Sequence, residues 1–105
     1  MRRATMALVL GAAAIAIGTE PAAAEFIDEC KAALAEEGVN GRVQIFLCQC
    51  YSQGAERSGD ENMEGKLLYV LKKPKGKARD EAARDRPSTV PIFRACTNAL
   101  KSRTQ

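Results

Sequence analysis

Two cysteines one residue apart, Cys48 and Cys50 in the stretch FLCQC, are the side chains in this chain best suited to chemistry. Thiolates attack disulfides, bind soft metals, or oxidise in pairs to cross-link a fold. The chain holds two further cysteines, Cys30 and Cys96, and no histidine. A redox role for the C-x-C pair needs a thiol of lowered pKa. LCQCYS (47–52) offers no neighbouring histidine or lysine to lower one, and no βαβ pattern suggests a thioredoxin-like scaffold. Zinc sites use two closely spaced ligand pairs, whereas Cys30 and Cys96 stand alone. A copper(I) site from Cys48, Cys50 and Met63 is chemically conceivable, but Met63 fits a helix core better. No metal and no cofactor is therefore expected. The carboxylates Asp28, Glu29, Glu36, Glu37, Glu61 and Glu64 lack any partner motif for acid–base or nucleophilic catalysis, so no catalytic residue is assigned.

Pairing is then the expected use of the four sulfurs. If residues 43–53 are helical, each residue turns the chain by about 100°, and Cys48 and Cys50 point roughly 200° apart. They cannot face one neighbour. The segment becomes a hub reaching one cysteine-bearing helix on each side. A Cys48–Cys50 bond would close a short strained ring and ranks last. Cys30–Cys50 with Cys48–Cys96 is slightly favoured over Cys30–Cys48 with Cys50–Cys96, because Cys50 shares an apolar face with Val43, Phe46, Leu47 and Gly54. A strand over 43–53 would put both sulfurs on one side and favour redox or metal chemistry instead.

The elements that must position these sulfurs are short. Residues 1–24 read as a signal peptide: Arg2 and Arg3, an apolar run from Met6 to Gly18, then Ala22 to Ala24, with cleavage before Glu25. The run is too short to span a bilayer comfortably, and no cysteine at the cleavage point suggests a lipid anchor. Cleavage would leave residues 25–105 as one domain of 81 residues, with 14 basic and 12 acidic side chains. That balance is too mild for a polyanion partner, and nucleic acid is not expected. A domain this small buries a thin core and commonly needs staples. Exported, with four cysteines, it reads as periplasmic or secreted, all-α, and disulfide-stapled.

About four helices are expected. In the first, Phe26, Ile27, Cys30, Ala33 and Leu34 share a face, Glu25, Asp28 and Glu29 lie near the start, and Gly38 is a ready stop. The second covers RVQIFLCQCYSQG. The third follows Ser58-x-x-Glu61, which has capping-box spacing, and carries Met63, Leu67, Val70 and Leu71 as its inner stripe before Pro74 and Gly76. KGKARDEAARDRP is either a turn or two of exposed helix or a mobile loop. The last helix starts near STVP, with Ser88 or Thr89 as cap, Pro91 in the first turn, and Ile92, Phe93, Cys96, Ala99 and Leu100 as its stripe. Tyr51 and Tyr69 read as core-edge aromatics with hydroxyls in water. Lys72, Lys73, Lys75, Lys77 and Arg79 form a basic cluster that could meet an anionic envelope surface, although nearby acids favour a solvated loop.

The order FIDEC, LCQCYSQG, RACTNAL resembles small uncharacterised bacterial periplasmic proteins with a C…CxC…C helical framework. TVPIFRACT (89–97) is similar to the last cysteine-bearing helix of HdeA-type acid chaperones, a resemblance that implies client holding at low pH. CQCYSQG with LLYVLKKP resembles the C-x-G-Y-x-x-G and helix–Pro segments of Tai-type immunity proteins, with Cys50 in the glycine position. That resemblance implies inhibition of a secreted amidase. From the residues themselves, the leading expectation is a small exported, non-enzymatic protein that binds another protein or an envelope component. The alternatives are a periplasmic thiol–disulfide protein using the C-x-C pair, and an acid-stress chaperone or immunity-type inhibitor.

Overall fold

The computed structural model describes residues 21–104 and is all-helical there. Five α-helices, α1 (Pro21–Glu36), α2 (Gly41–Ser58), α3 (Met63–Leu71), α4 (Lys77–Asp85) and α5 (Val90–Thr104), are joined by short connections, with a 3-10 turn at Pro87–Thr89. Of the two alternatives for the charged stretch after α3, the helical one is present. It is α4, in the charged KGKARDEAARD stretch, where Ala82 is the single buried residue. Most of the signal-peptide reading falls on residues 1–20, outside the described residues. Pro21 to Ala24 continue α1, so Glu25, Asp28 and Glu29 follow its first turn rather than open it. Among the described residues no helix is long and apolar enough to cross a membrane.

The helix α2 is the centre of the assembly. It packs on α1 and α3 along one side and on α5 along the other, while α3 also meets α1 and α4. The core is built from Phe26, Cys30 and Leu34 of α1, Leu47, Cys48, Tyr51 and Ala55 of α2, and Met63, Leu67 and Leu71 of α3, with Cys96 of α5. The α3 stripe expected from periodicity is buried as a set. Met63 is thus a core residue, and Cys48 and Cys50 are each committed to a disulfide.

The end of α1 follows from Gly38. Its φ of +82° is a conformation glycine adopts without a Cβ penalty. The Val39 amide then donates to the Leu34 carbonyl and the Gly38 amide to that of Ala35, both at 3.0 Å, which closes a Schellman motif. Gln44 reinforces the corner from α2: its side-chain amide donates to the carbonyls of Val39 (3.1 Å) and Lys31 (3.2 Å).

Two expected caps are not formed. Ser58 lies in the last turn of α2, where its hydroxyl donates to the Ala55 carbonyl (2.6 Å) and accepts the Asp60 amide (3.1 Å). Asp60 organises the approach to α3 instead, accepting the Asn62 amide (2.8 Å) and pairing with Lys66 (2.6 Å). Those contacts, Lys66 first, hold its carboxyl below the usual aspartate range. Thr89 is fully buried and donates back to the Arg86 carbonyl (2.7 Å), which closes the 3-10 turn before α5.

The helices α2 and α5 approach closely at Gly54. A Cβ there would lie 2.8 Å from Ile92 Cγ2. Alanine normally stabilises a helix interior by about 1 kcal/mol over glycine. Gly54→Ala is expected to yield none of that in the native sequence, and to yield it only when Ile92→Ala clears the space. Urea titrations of the four combinations test this, and a full gain from Gly54→Ala alone would contradict the close approach.

Candidate functional site

The sulfurs pair as Cys30–Cys48 and Cys50–Cys96, with Cα–Cα distances of 5.8 Å in both. The hub geometry holds, and the favoured pairing, Cys30–Cys50 with Cys48–Cys96, is corrected to the alternative. The reason is which face of α2 meets α1. Leu47, Cys48, Tyr51 and Ala55 form the buried face, and Cys48 lies in it beside Cys30. Phe46, Cys50 and Gly54 form the half-exposed face against which α5 leans through Ile92 and Cys96. Tyr51 and Ala55 are the residues whose burial decides the matter. All four cysteines are bonded, so none is a free thiol here.

The basic cluster is dispersed. Lys72 pairs with Glu29 on α1 at 2.6 Å in an exposed bridge. Lys73 lies over the Tyr69 ring at 4.8 Å, with Arg86 over the same ring at 4.2 Å. Lys75 and Lys77 are exposed around the α3–α4 connection. Arg79 turns inward. Its guanidinium donates to the carbonyls of Leu71 (3.0 Å), the last residue of α3, and of Lys73 (2.7 Å) just beyond it, and it forms an ion pair with Glu37 just past the end of α1. Arg79 thereby ties together the ends of α1 and α3 and the start of α4. Partner and clamp are 42 residues apart. No local pattern in the sequence marks that pair.

Above this clamp lies an open cleft of about 710 Å³. Leu34 and Val39 at the α1 corner, Val43 and Leu47 of α2, Val70 and Leu71 of α3, and Phe93 and Leu100 of α5 give it apolar walls. Glu37, Arg79 and Tyr51 supply polar groups inside it, and Lys75, Asp80, Arg94 and Lys101 are among its charged residues. Its volume falls within the roughly 300–1,000 Å³ usual for ligand sites, which are mostly apolar with a few fixed polar groups.

Tyr51 is the residue that sequence reasoning misplaced. It is 5% exposed, not a core-edge group with a hydroxyl in water. Its ring meets Phe93 edge-on, centroids 5.0 Å apart at 79°. The hydroxyl has no hydrogen-bond partner among the described residues. Burial is the main cause that pushes the Tyr51 pKa from 10.0 to about 12, with the Arg79 charge opposing and that of Glu37 adding. Because the folded value is raised, the stability linked to the neutral phenol is complete below pH 10 and is lost as pH rises through about 12. Absorbance titration at the phenolate band should show Tyr51 ionising near 12. A Tyr51→Phe variant should lack that step, and its survival in the variant would contradict the assignment.

These features define a small all-α domain, stapled by two disulfides through one central helix and opened on one side by an apolar, basic-rimmed cleft. Comparison of the chain with protein-family models, with curated proteins and with solved structures finds no match in any of the three. The functional reading therefore rests on the geometry of the cleft and its supports.

Proposed function

We propose that the chain is a small exported binding protein of the bacterial envelope, periplasmic or secreted, without enzymatic activity, whose binding site is the cleft between α5 and the α1–α3 corner. The observation that carries this reading is the cleft itself, apolar-walled and lined by cations, on a scaffold in which disulfides fix α1 and α5 to α2. Two disulfides suit an oxidising compartment, in keeping with the signal-peptide reading of residues 1–24. A fixed scaffold also reduces the ordering cost of binding, since few groups are immobilised when the partner arrives.

A photo-crosslinking side chain at Thr97, on the cleft, compared with one at Glu56, an exposed α2 position outside it, tests the reading in intact cells. Discrete crosslinked products in the exported fraction from Thr97 and none from Glu56 are expected. Failure of the chain to leave the cytoplasm, or equal labelling from both positions, would remove the proposal.

A further inference from the structure

The cleft walls are apolar, which alone would suit a lipid tail, a small molecule or a protein segment. Three observations narrow the choice. First, Tyr51 is nine-tenths buried, lines the cleft, and holds a hydroxyl that no described residue satisfies. Its neutral phenol is a donor and calls for an acceptor from whatever fills the space. A hydrocarbon tail supplies none. A regular helix uses its own mid-helix carbonyls internally. An extended peptide offers a free carbonyl at every residue.

Second, the charges around the cleft are unbalanced. Lys75, Arg79, Arg94 and Lys101 line it against the two carboxylates of Glu37 and Asp80. Arg79 is committed to Glu37 and to the carbonyls of Leu71 and Lys73. Lys75 and Arg94 are exposed and form no ion pair among the described residues. Carboxylates on the ligand would meet uncommitted cations. Third, the cleft is open, so a ligand keeps one side in water. An extended segment suits that arrangement, since successive side chains point to opposite faces.

We infer that the cleft binds an extended peptide segment bearing apolar side chains and carboxylates, its backbone carbonyl accepting from Tyr51 and its acidic groups facing Lys75 and Arg94. The inference rests on the binding-protein reading above and specifies its partner. Apolar side chains fill the space between Leu47, Val70 and Phe93, and affinity falls with salt because the rim charges are exposed.

A random peptide library displayed on phage and selected against the oxidised full chain tests it. Enriched sequences should combine Leu, Ile or Phe with Asp or Glu. A representative enriched peptide should lose at least tenfold in affinity against Lys75→Glu/Arg94→Glu, and several-fold against Tyr51→Phe. Both charge changes are at exposed positions, so that variant keeps the fold even if Tyr51→Phe does not. Basic enriched sequences, no enrichment, or affinity unchanged by the charge reversals would overturn the inference. Saturable binding of dodecanoate in place of any peptide would also overturn it and assign the cleft to an acyl chain. Each of these results, obtained with crosslinking from Thr97 intact, would reject the ligand class while leaving the binding reading standing. Loss of the crosslinks would reject the binding reading itself.

Discussion

Arg79→Met should destabilise the fold by about 3 kcal/mol, the low end of what removing one partner of a buried ion pair costs. The low end is chosen because the Arg79 and Glu37 side chains remain 20% and 14% exposed. The loss has two sources. Glu37 is left as a largely buried carboxylate without its counter-charge, and the carbonyls of Leu71 and Lys73 lose their donor. Arg79→Lys should recover only part, since one ammonium cannot reproduce the planar fork that serves all three acceptors. Glu37→Met/Arg79→Met should cost less than the two single changes added together, because neither charge is then stranded. Urea denaturation of the four chains gives the cycle. A loss below 1 kcal/mol for Arg79→Met, or strict additivity, would show that the clamp carries little.

The second large effect concerns the two disulfides, which differ in what they hold. Chain-entropy arguments assign about 3 kcal/mol to Cys30–Cys48, with a separation of 18 residues, and about 4 kcal/mol to Cys50–Cys96, with 46. Burial reverses that order. Cys30 and Cys48 are fully buried in the core, and replacing both by alanine also leaves a void among Phe26, Leu34 and Leu67. Against a total stability of about 5–15 kcal/mol for a domain, Cys30→Ala/Cys48→Ala is expected to abolish cooperative folding.

Cys50→Ala/Cys96→Ala should instead keep the α1–α3 core and loosen α5, which packs chiefly on α2 and the 3-10 turn. Because α5 supplies Phe93, Arg94 and Leu100 to the cleft, binding should be lost while most helical signal remains. Reduction should follow the same order. Cys50 is half-exposed, so limited dithiothreitol followed by alkylation should label Cys50 and Cys96 before Cys30 and Cys48. Simultaneous labelling of all four would mean the molecule opens as one unit and would defeat this account.

These expectations draw on features the sequence reveals unequally. The inner face of α3 is visible because Met63, Leu67, Val70 and Leu71 recur at helical spacing with nothing competing. The stop at Gly38 is visible because its chemistry is local. The hub role of Cys48 and Cys50 follows from helix rotation alone. Their partners do not, since the buried face of α2 contains a tyrosine and an alanine, while the face with more bulky apolar residues is half-exposed. Val43 and Ile45 are even 39% and 43% exposed, although both look like core residues.

The cleft was hidden for a different reason. Its clamp joins Glu37 to Arg79 across the whole of α2 and α3, and charge pairs at that separation have no sequence signature. The cluster from Lys72 to Arg79 looks like one patch because its members are neighbours in the chain. Folding sends them to an ion pair, a ring, the rim and the interior. Ser58-x-x-Glu61 has the spacing of a helix start and yet ends one, because α2 runs four residues past Gly54.

The single glutamine between Cys48 and Cys50 has a consequence for design. On a helix, the number of residues separating two cross-link points is an angular setting, advanced by about 100° for each residue added. With one intervening residue the chain fixes the bearing of α5 relative to α1 about the α2 axis, and with it how wide the cleft stands. A variant with one residue inserted beside Gln49 would swing the second bond by a quarter turn or more, carrying α5 to a new azimuth. The aperture of the cleft is thus written as an integer, adjustable in steps rather than continuously.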